Sequence, residues 1–91
     1  MADEIIKFTA DSTAYVPLGA GSTGVAVQNE HAYAHLRLAI ADSQPDANHG
    51  AYMILRQRNF VQHLEIPDTF TVWARSDTDG VTVTGHYRKF L

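Results

Sequence analysis

The segment that decides the fold runs from Thr69 to Tyr87 and reads TFTVWARSDTDGVTVTGHY. On both sides of Asp77 to Gly80 the side chains alternate with a period of two residues, which is typical of β-strands. Asp and Gly are favoured in tight turns because they tolerate positive φ angles. The segment therefore predicts two strands, 69–76 and 81–87, that form a β-hairpin.

Similar short apolar or alternating runs occur in the rest of the chain, separated by segments rich in Gly, Pro, Asp and Asn. They predict further strands at 5–8, 14–17, 24–29, 31–41, 51–55 and 60–66. The Ala and Leu content of segment 31–41 also permits a helix, but its period of two favours a strand. In that strand one face is apolar (Ala34, Leu36, Leu38, Ile40) and the other carries Tyr33, His35 and Arg37.

Seven to eight short strands without a clear helix predict an all-β fold, either a small antiparallel β-sandwich or a jelly-roll-like barrel. The 91 residues fit one domain. We expect residues 14–91 to form this β-sandwich domain and residues 1–13 to be an N-terminal arm or an edge strand. Strand 69–76 and the arm are the expected sheet edges, where a neighbouring protein could add a strand.

Charge and composition exclude several classes of function. The formal net charge of −3 supplies no basic field for nucleic acid, so we expect no nucleic-acid partner. The absence of cysteine excludes disulfides, thiol catalysis and Cys-ligated zinc. No apolar run is long enough to predict a membrane span or a signal peptide, which indicates synthesis in the cytoplasm.

No motif predicts an enzyme, a cofactor or a metal. His31 and His35 would lie about 13 Å apart in a strand, too far to bind one ion. Asp77 to Gly80 resembles the start of a calcium loop, but Arg88 stands where the final acidic ligand belongs. Serine, histidine and aspartate are present without the positional pattern of a catalytic triad. We expect no catalytic residues, no cofactor and no metal ligands.

A binding surface is the remaining candidate site. Interfaces favour Tyr, Trp and Arg. These residue types occur on the polar face of segment 31–41, directly after strand 51–55 and in strand 69–76. The alternative for each residue is a core tryptophan or a solvated arginine. The candidate partner-binding residues are Tyr33, His35, Arg37, Arg56, Arg58, Trp73 and Arg75.

The order of elements resembles that of the small β-sandwich structural proteins of tailed bacteriophages, in particular capsid decoration (cement) proteins. The resemblance covers residues 14–87, and it rests on the segments VAVQN (25–29), LRLAIADSQP (36–45), GAYMILRQRN (50–59), VWARS (72–76) and VTVTG (81–85). It implies a non-enzymatic protein that binds and stabilises the coat-protein shell.

The resemblance also implies where the protein acts and with what. We expect synthesis in the host cytoplasm, a place on the virion surface, the major capsid protein as partner, and self-association as a dimer or trimer. An alternative is a carbohydrate-binding or receptor-binding β-sandwich module of a tail fibre or a secreted enzyme, in which Trp73 and tyrosines stack on sugars. A small enzyme built around the histidines is a third possibility.

Overall fold

The computed structural model describes residues 5–19, 24–56, 62–65 and 70–90, with only the backbone described at 62–65 and at Phe90. Within these ranges the secondary structure is entirely β. The eight strands are β1 (Ile5–Ala10), β2 (Val16–Leu18), β3 (Gly24–Asn29), β4 (Leu36–Ala41), β5 (Met53–Leu55), β6 (Gln62–Glu65), β7 (Thr71–Ser76) and β8 (Val83–Phe90).

The strands form two four-stranded antiparallel sheets, which we call sheet A and sheet B. Sheet A has the order β1-β8-β3-β6, and sheet B has the order β2-β7-β4-β5. The first four strands therefore pair with the last four in reverse order, β1 with β8, β2 with β7, β3 with β6 and β4 with β5. This is the strand order of an eight-stranded jelly roll, and it confirms the predicted all-β sandwich.

The core lies between the two sheets and is filled by alternate residues of each strand. Sheet A contributes Phe8, Ala10, Val25, Val27 and Val83, and sheet B contributes Leu18, Leu36, Leu38, Leu55, Val72 and Ala74. Because side chains on a strand point alternately to its two faces, the residues between them face outward. Each sheet thus has an inner apolar face and an outer face available for other contacts.

Segment 31–41 is a strand only from Leu36 onward. Residues 31–35 form a bend, because the side chains of Asn29 and His31 take the backbone N–H groups that a strand would use for pairing. Leu36 and Leu38 point into the core as predicted. Ile40 lies at the end of sheet B, where its side chain is partly exposed.

The predicted β7–β8 hairpin is wrong, although both strands exist. β7 pairs with β2 and β4 in sheet B, and β8 pairs with β1 and β3 in sheet A. Residues 77–82 contain a turn with Gly80 at a φ of 76°, but they cross from one sheet to the other. Strand alternation is the same whether two strands pair in one sheet or face each other across a core, so the local pattern did not distinguish them.

The sheet edges also differ from the prediction in one respect. β7 lies inside sheet B between β2 and β4, so strand 69–76 is not an edge. β1 is an edge of sheet A, paired with β8 along all six of its residues.

Candidate functional site

In the described part of the chain, three crossings between the sheets meet at one end of the sandwich. They are residues 11–15 between β1 and β2, residues 30–35 between β3 and β4, and residues 77–82 between β7 and β8. Since all neighbouring strands are antiparallel, the C-terminal ends of β1, β3 and β7 lie on the same side of the molecule. We call these three crossings the loop platform.

Hydrogen bonds join the three crossings to one another and to the strands. The N–H of Ser76 donates to the carbonyl of Asp11 (3.0 Å), and the N–H of Asp77 donates to the carbonyl of His35 (2.9 Å). The N–H of Gly80 donates to Oγ of Ser12 (3.0 Å). Bonds between segments far apart in sequence restrict the motion of each loop relative to the others.

The side chain of Asn29 forms hydrogen bonds with the backbone of the 30–35 crossing. Its side chain is fully buried at the end of β3. Oδ1 accepts the N–H of His31 (2.9 Å), while Nδ2 donates to the carbonyls of Ala34 (3.0 Å) and Leu55 (3.2 Å). One amide thus satisfies three buried or partly buried backbone groups and ties sheet A to β5 of sheet B.

The same crossing presents Tyr33 to solvent. Nδ1 of His31 accepts the N–H groups of Tyr33 (3.1 Å) and Ala34 (3.0 Å). The rings of His31 and Tyr33 meet edge to face, with centroids 4.5 Å apart. Tyr33 nevertheless remains 67% exposed. The platform therefore exposes the aromatic side chain of Tyr33, while the backbone N–H and the ring of this residue both contact His31.

Arg37 is engaged by its neighbours on the outer face of sheet B. Nε lies 2.6 Å from Oδ1 of Asp77, and the guanidinium lies over the ring of Tyr52 at 4.4 Å from its centroid. The hydrogen bond to Asp77 raises the pKa of Arg37 above its ordinary value, which partial burial opposes. Arg37 is a charged residue at all physiological pH values, and its side chain anchors the 77–82 crossing to β4.

Arg75 lies directly opposite Arg37 on the neighbouring strand and is buried. Nε donates to the carbonyl of Ser12 (2.9 Å), and Nη2 lies 3.7 Å from Oδ1 of the exposed Asp79. Nη1 is buried and has no hydrogen-bond partner within the described residues. Two like charges can face each other here because each guanidinium has an acidic neighbour and Arg75 also bonds to a carbonyl.

Asp11 caps the first crossing. Its Oδ1 accepts the hydroxyl (2.8 Å) and the N–H (3.0 Å) of Thr13. These two bonds favour the carboxylate and lower the pKa of Asp11 below its ordinary value. The arrangement is a side-chain turn that shapes the loop, with Asp11 exposed at its surface.

Trp73 lies away from the platform, near the middle of the outer face of sheet B. Its Nε1 donates to the carbonyl of Ala41 (3.2 Å), and its ring is partly buried. The connection 42–52 folds over the same face, since Nε2 of Gln44 donates to the carbonyl of Tyr15 (2.9 Å) and the hydroxyl of Tyr15 donates to the carbonyl of His49 (3.3 Å). Trp73 and this connection thus lie on the same outer face of sheet B.

The seven sequence-predicted residues separate into three groups. Tyr33 and His35 lie on the platform. Arg56 is exposed and directly follows Leu55, the residue of β5 that pairs with Leu36. The packed residues are Arg37, Trp73 and Arg75, and Arg58 lies outside the described residues. Whether any of them contacts a partner stays a prediction.

Two residues that shape the platform were not predicted from the sequence, Asn29 and His31. The sequence signal that could have indicated them is an Asn at the end of an alternating strand, followed directly by polar residues. Asn side chains at such positions commonly bond to the backbone two residues further along the chain.

A shallow groove of about 230 Å³ lies on the outer face of sheet A. It is lined by Ile5, Ala26, Gln28, His86, Tyr87 and Arg88. Nδ1 of His86 lies 2.8 Å from a carboxylate oxygen of Glu30. In the described ranges no three His, Asp or Glu residues are grouped to hold a metal ion, and no helix there is long and apolar enough to cross a membrane.

Comparisons with known proteins find no match to a protein-family model, to a curated protein or to a solved structure.

Proposed function

We propose that the protein is a non-enzymatic virion structural protein, a capsid decoration protein that binds and stabilises the coat-protein shell of a tailed bacteriophage. It is synthesised in the host cytoplasm and acts on the virion surface, with the major capsid protein as its partner. The observation that carries this proposal is the loop platform, an end of the sandwich whose loops are joined by hydrogen bonds and which exposes Tyr33 to solvent.

The fold supports this proposal by analogy. Eight-stranded jelly rolls are common in viral capsid domains and in lectins. A fold alone does not determine a function, and the platform is the feature of this molecule that supports binding. The segments that resemble decoration proteins are its second support.

The platform has the properties of a binding surface. Tyr is one of the residue types that supply most of the affinity at protein interfaces, where binding removes it from solvent. Because hydrogen bonds already order the backbone at Tyr33, docking loses little loop entropy. A symmetric shell offers many equivalent sites, so a particle that carries many copies gains stability from contacts that are individually weak.

The test is co-sedimentation with empty coat-protein shells made from the coat gene of the same genome. We expect Tyr33→Ala to weaken binding by about tenfold or more, the size of loss typical of an aromatic anchor. The matched control is Phe70→Ala, because Phe70 is an exposed aromatic residue before β7, at the opposite end of the sandwich.

Circular dichroism of both variants establishes that they are folded. Wild-type protein that stays in the supernatant, or equal binding by Tyr33→Ala and wild type, would contradict the proposal. A genome in which no coat, portal or scaffold gene lies near this one would also count against it.

A second candidate is a carbohydrate-binding module, which the exposed ring of Tyr33 also favours. Trp73 is a poor sugar platform, because its Nε1 is bonded to Ala41 and its ring is half covered. Intrinsic fluorescence separates the two functions. Quenching by glycans that is lost in Tyr33→Ala, together with no binding to coat-protein shells, would replace the first proposal with this one.

A further inference from the structure

β1 is the least protected sheet edge in the described part of the chain. The other edge strands are short, with three residues in β2 and β5 and four in β6, and β2 contains Pro17. β1 has six residues, no proline and a continuous pairing with β8 on its inner side only. Short strands, prolines and charged side chains, especially lysine, are the usual means by which proteins prevent an edge from adding another strand, and β1 has only one of these, Lys7.

We propose that β1 pairs with β1 of a second copy of this chain, so that two A sheets join into one eight-stranded antiparallel sheet. Such a contact is isologous, because a two-fold axis perpendicular to the sheet places the same strand on both sides. The inference concerns self-association, and it does not depend on the proposed function.

Among axes at Lys7, Phe8 and Thr9, the residues of β1 favour one register for this pairing. The two-fold axis keeps outward residues opposite outward residues, so the axis must pass through a residue position. An axis at Lys7 would place two ammonium groups opposite each other, which is destabilising. An axis at Thr9 would pair little of β1, because the carbonyl of Asp11 is already bonded to Ser76 of sheet B.

An axis at Phe8 avoids both problems. It pairs residues 6–10 of both copies, with Lys7 opposite Thr9 of the second copy on the outer face. On the inner face it places Phe8 opposite its own copy and Ile6 opposite Ala10, which continues the apolar core from one sandwich toward the other. Aromatic and aliphatic cross-strand pairs of this kind stabilise sheets.

Charge along the joint is balanced in the same register. Lys7 of one copy lies diagonal to Asp11 of the other as well as to its Lys7, so two lysines and two aspartates share the outer face. The carboxylate of Asp11 is charged at neutral pH, as that of an exposed aspartate ordinarily is. The long side chain of Lys7 can reach across such a diagonal.

The absence of cysteine allows a direct test by disulfide cross-linking. In the proposed register the Cβ atoms of positions 7 and 9 in different copies lie about 4.5–5.5 Å apart, close to disulfide distance. We expect the double variant Lys7→Cys/Thr9→Cys to form covalent dimers on mild oxidation, and either single variant to remain monomeric on a non-reducing gel. Light scattering of the wild type should show a mass that rises from monomer toward dimer with concentration.

The control for random collisions is Thr82→Cys/Thr84→Cys, because Thr82 directly precedes β8, Thr84 is its second residue, and β8 is an interior strand. It should give no covalent dimer under the same conditions. Cross-linking of Lys7→Cys alone or Thr9→Cys alone would contradict the register. A wild type that is monomeric at all concentrations, or a dimer in which the double variant does not cross-link, would overturn the proposal.

Discussion

At the scale of single residues, Asn29 joins the two sheets through its side chain. One buried amide satisfies the backbone of the 30–35 crossing and also bonds to β5. Because Asn29 lies in sheet A and bonds to the 30–35 crossing and to β5 of sheet B, removal of its side chain should weaken the contacts within the platform and between the two sheets. Tyr33 would then be presented by a less ordered loop.

We expect Asn29→Ala to lower the free energy of unfolding by roughly 2–4 kcal/mol, since it leaves buried backbone groups without partners. Urea denaturation followed by the fluorescence of Trp73 measures this loss. The matched control is Gln28→Ala, because the neighbouring Gln28 side chain is exposed and should change stability by about 0.5 kcal/mol or less. Equal effects of the two variants would show that the Asn29 bonds do not stabilise the fold.

Gly85 is the second residue whose identity is dictated by packing. It lies in β8 opposite Phe8, whose ring covers it. A Cβ atom added at Gly85 would overlap the backbone oxygen of Gln28 and would lie 2.9 Å from Cε1 of Phe8. Only glycine leaves room for the ring of Phe8 against β8.

We expect Gly85→Ala to destabilise the protein by about 1–3 kcal/mol, because the strand or the ring must shift to accept the methyl group. Gly50→Ala is the control, since a Cβ at Gly50 would have no atom within 4 Å. Thermal unfolding compares the two. A Gly85→Ala variant as stable as Gly50→Ala would mean that the backbone around β8 adapts without cost.

At the scale of elements, the 42–52 connection is a cover on the outer face of sheet B. It is held by hydrogen bonds to Tyr15, which is fully buried, and by the contact of Tyr52 with Arg37. Trp73 lies on the same face and is a natural reporter of whether this cover is closed.

Replacement of Tyr15 by Phe removes the hydroxyl that donates to His49 and keeps the ring. We expect this change to cost about 0.5–1.5 kcal/mol and to increase both hydrogen exchange in 42–52 and acrylamide quenching of Trp73. Tyr33→Phe provides the control, because that tyrosine lies outside this contact and is exposed. Unchanged exchange in Tyr15→Phe would show that the connection is held by its other contacts.

At the scale of the whole molecule, the fold depends on pairing between distant parts of the chain. β1 pairs with β8, so the two ends of the described chain meet in one sheet, and each pairing toward the middle closes a shorter loop. Pairing of distant strands slows folding, because the chain loses loop-closure entropy before the stabilising contacts form.

We therefore expect refolding in the range of about milliseconds to seconds. Stopped-flow dilution from urea, followed by Trp73 fluorescence and by far-ultraviolet circular dichroism, tests this expectation. Microsecond folding would be inconsistent with a jelly roll that must bring β1 to β8. Agreement of the two probes would establish a single cooperative transition.

The sequence by itself determined that the chain forms short strands and approximately where most of them lie. Alternation and turn residues are local properties, and they correctly placed β3 and β7, the apolar face of Leu36 and Leu38, and a turn at Gly80. The all-β class followed from the number and spacing of such segments. Strand 31–41 was too long because the competing side-chain bonds of Asn29 and His31 do not alter the apolar pattern.

Only the tertiary structure decided which strands pair, which are edges and which polar residues are buried. β7 and β8 join different sheets, since pairing depends on contacts between distant segments that alternation does not encode. Arg75 looked like a surface residue, but the 11–15 crossing covers it and accepts its hydrogen bond. The loop platform arises in the same way, because it is assembled from three crossings that are separate in sequence and meet only when both sheets have formed.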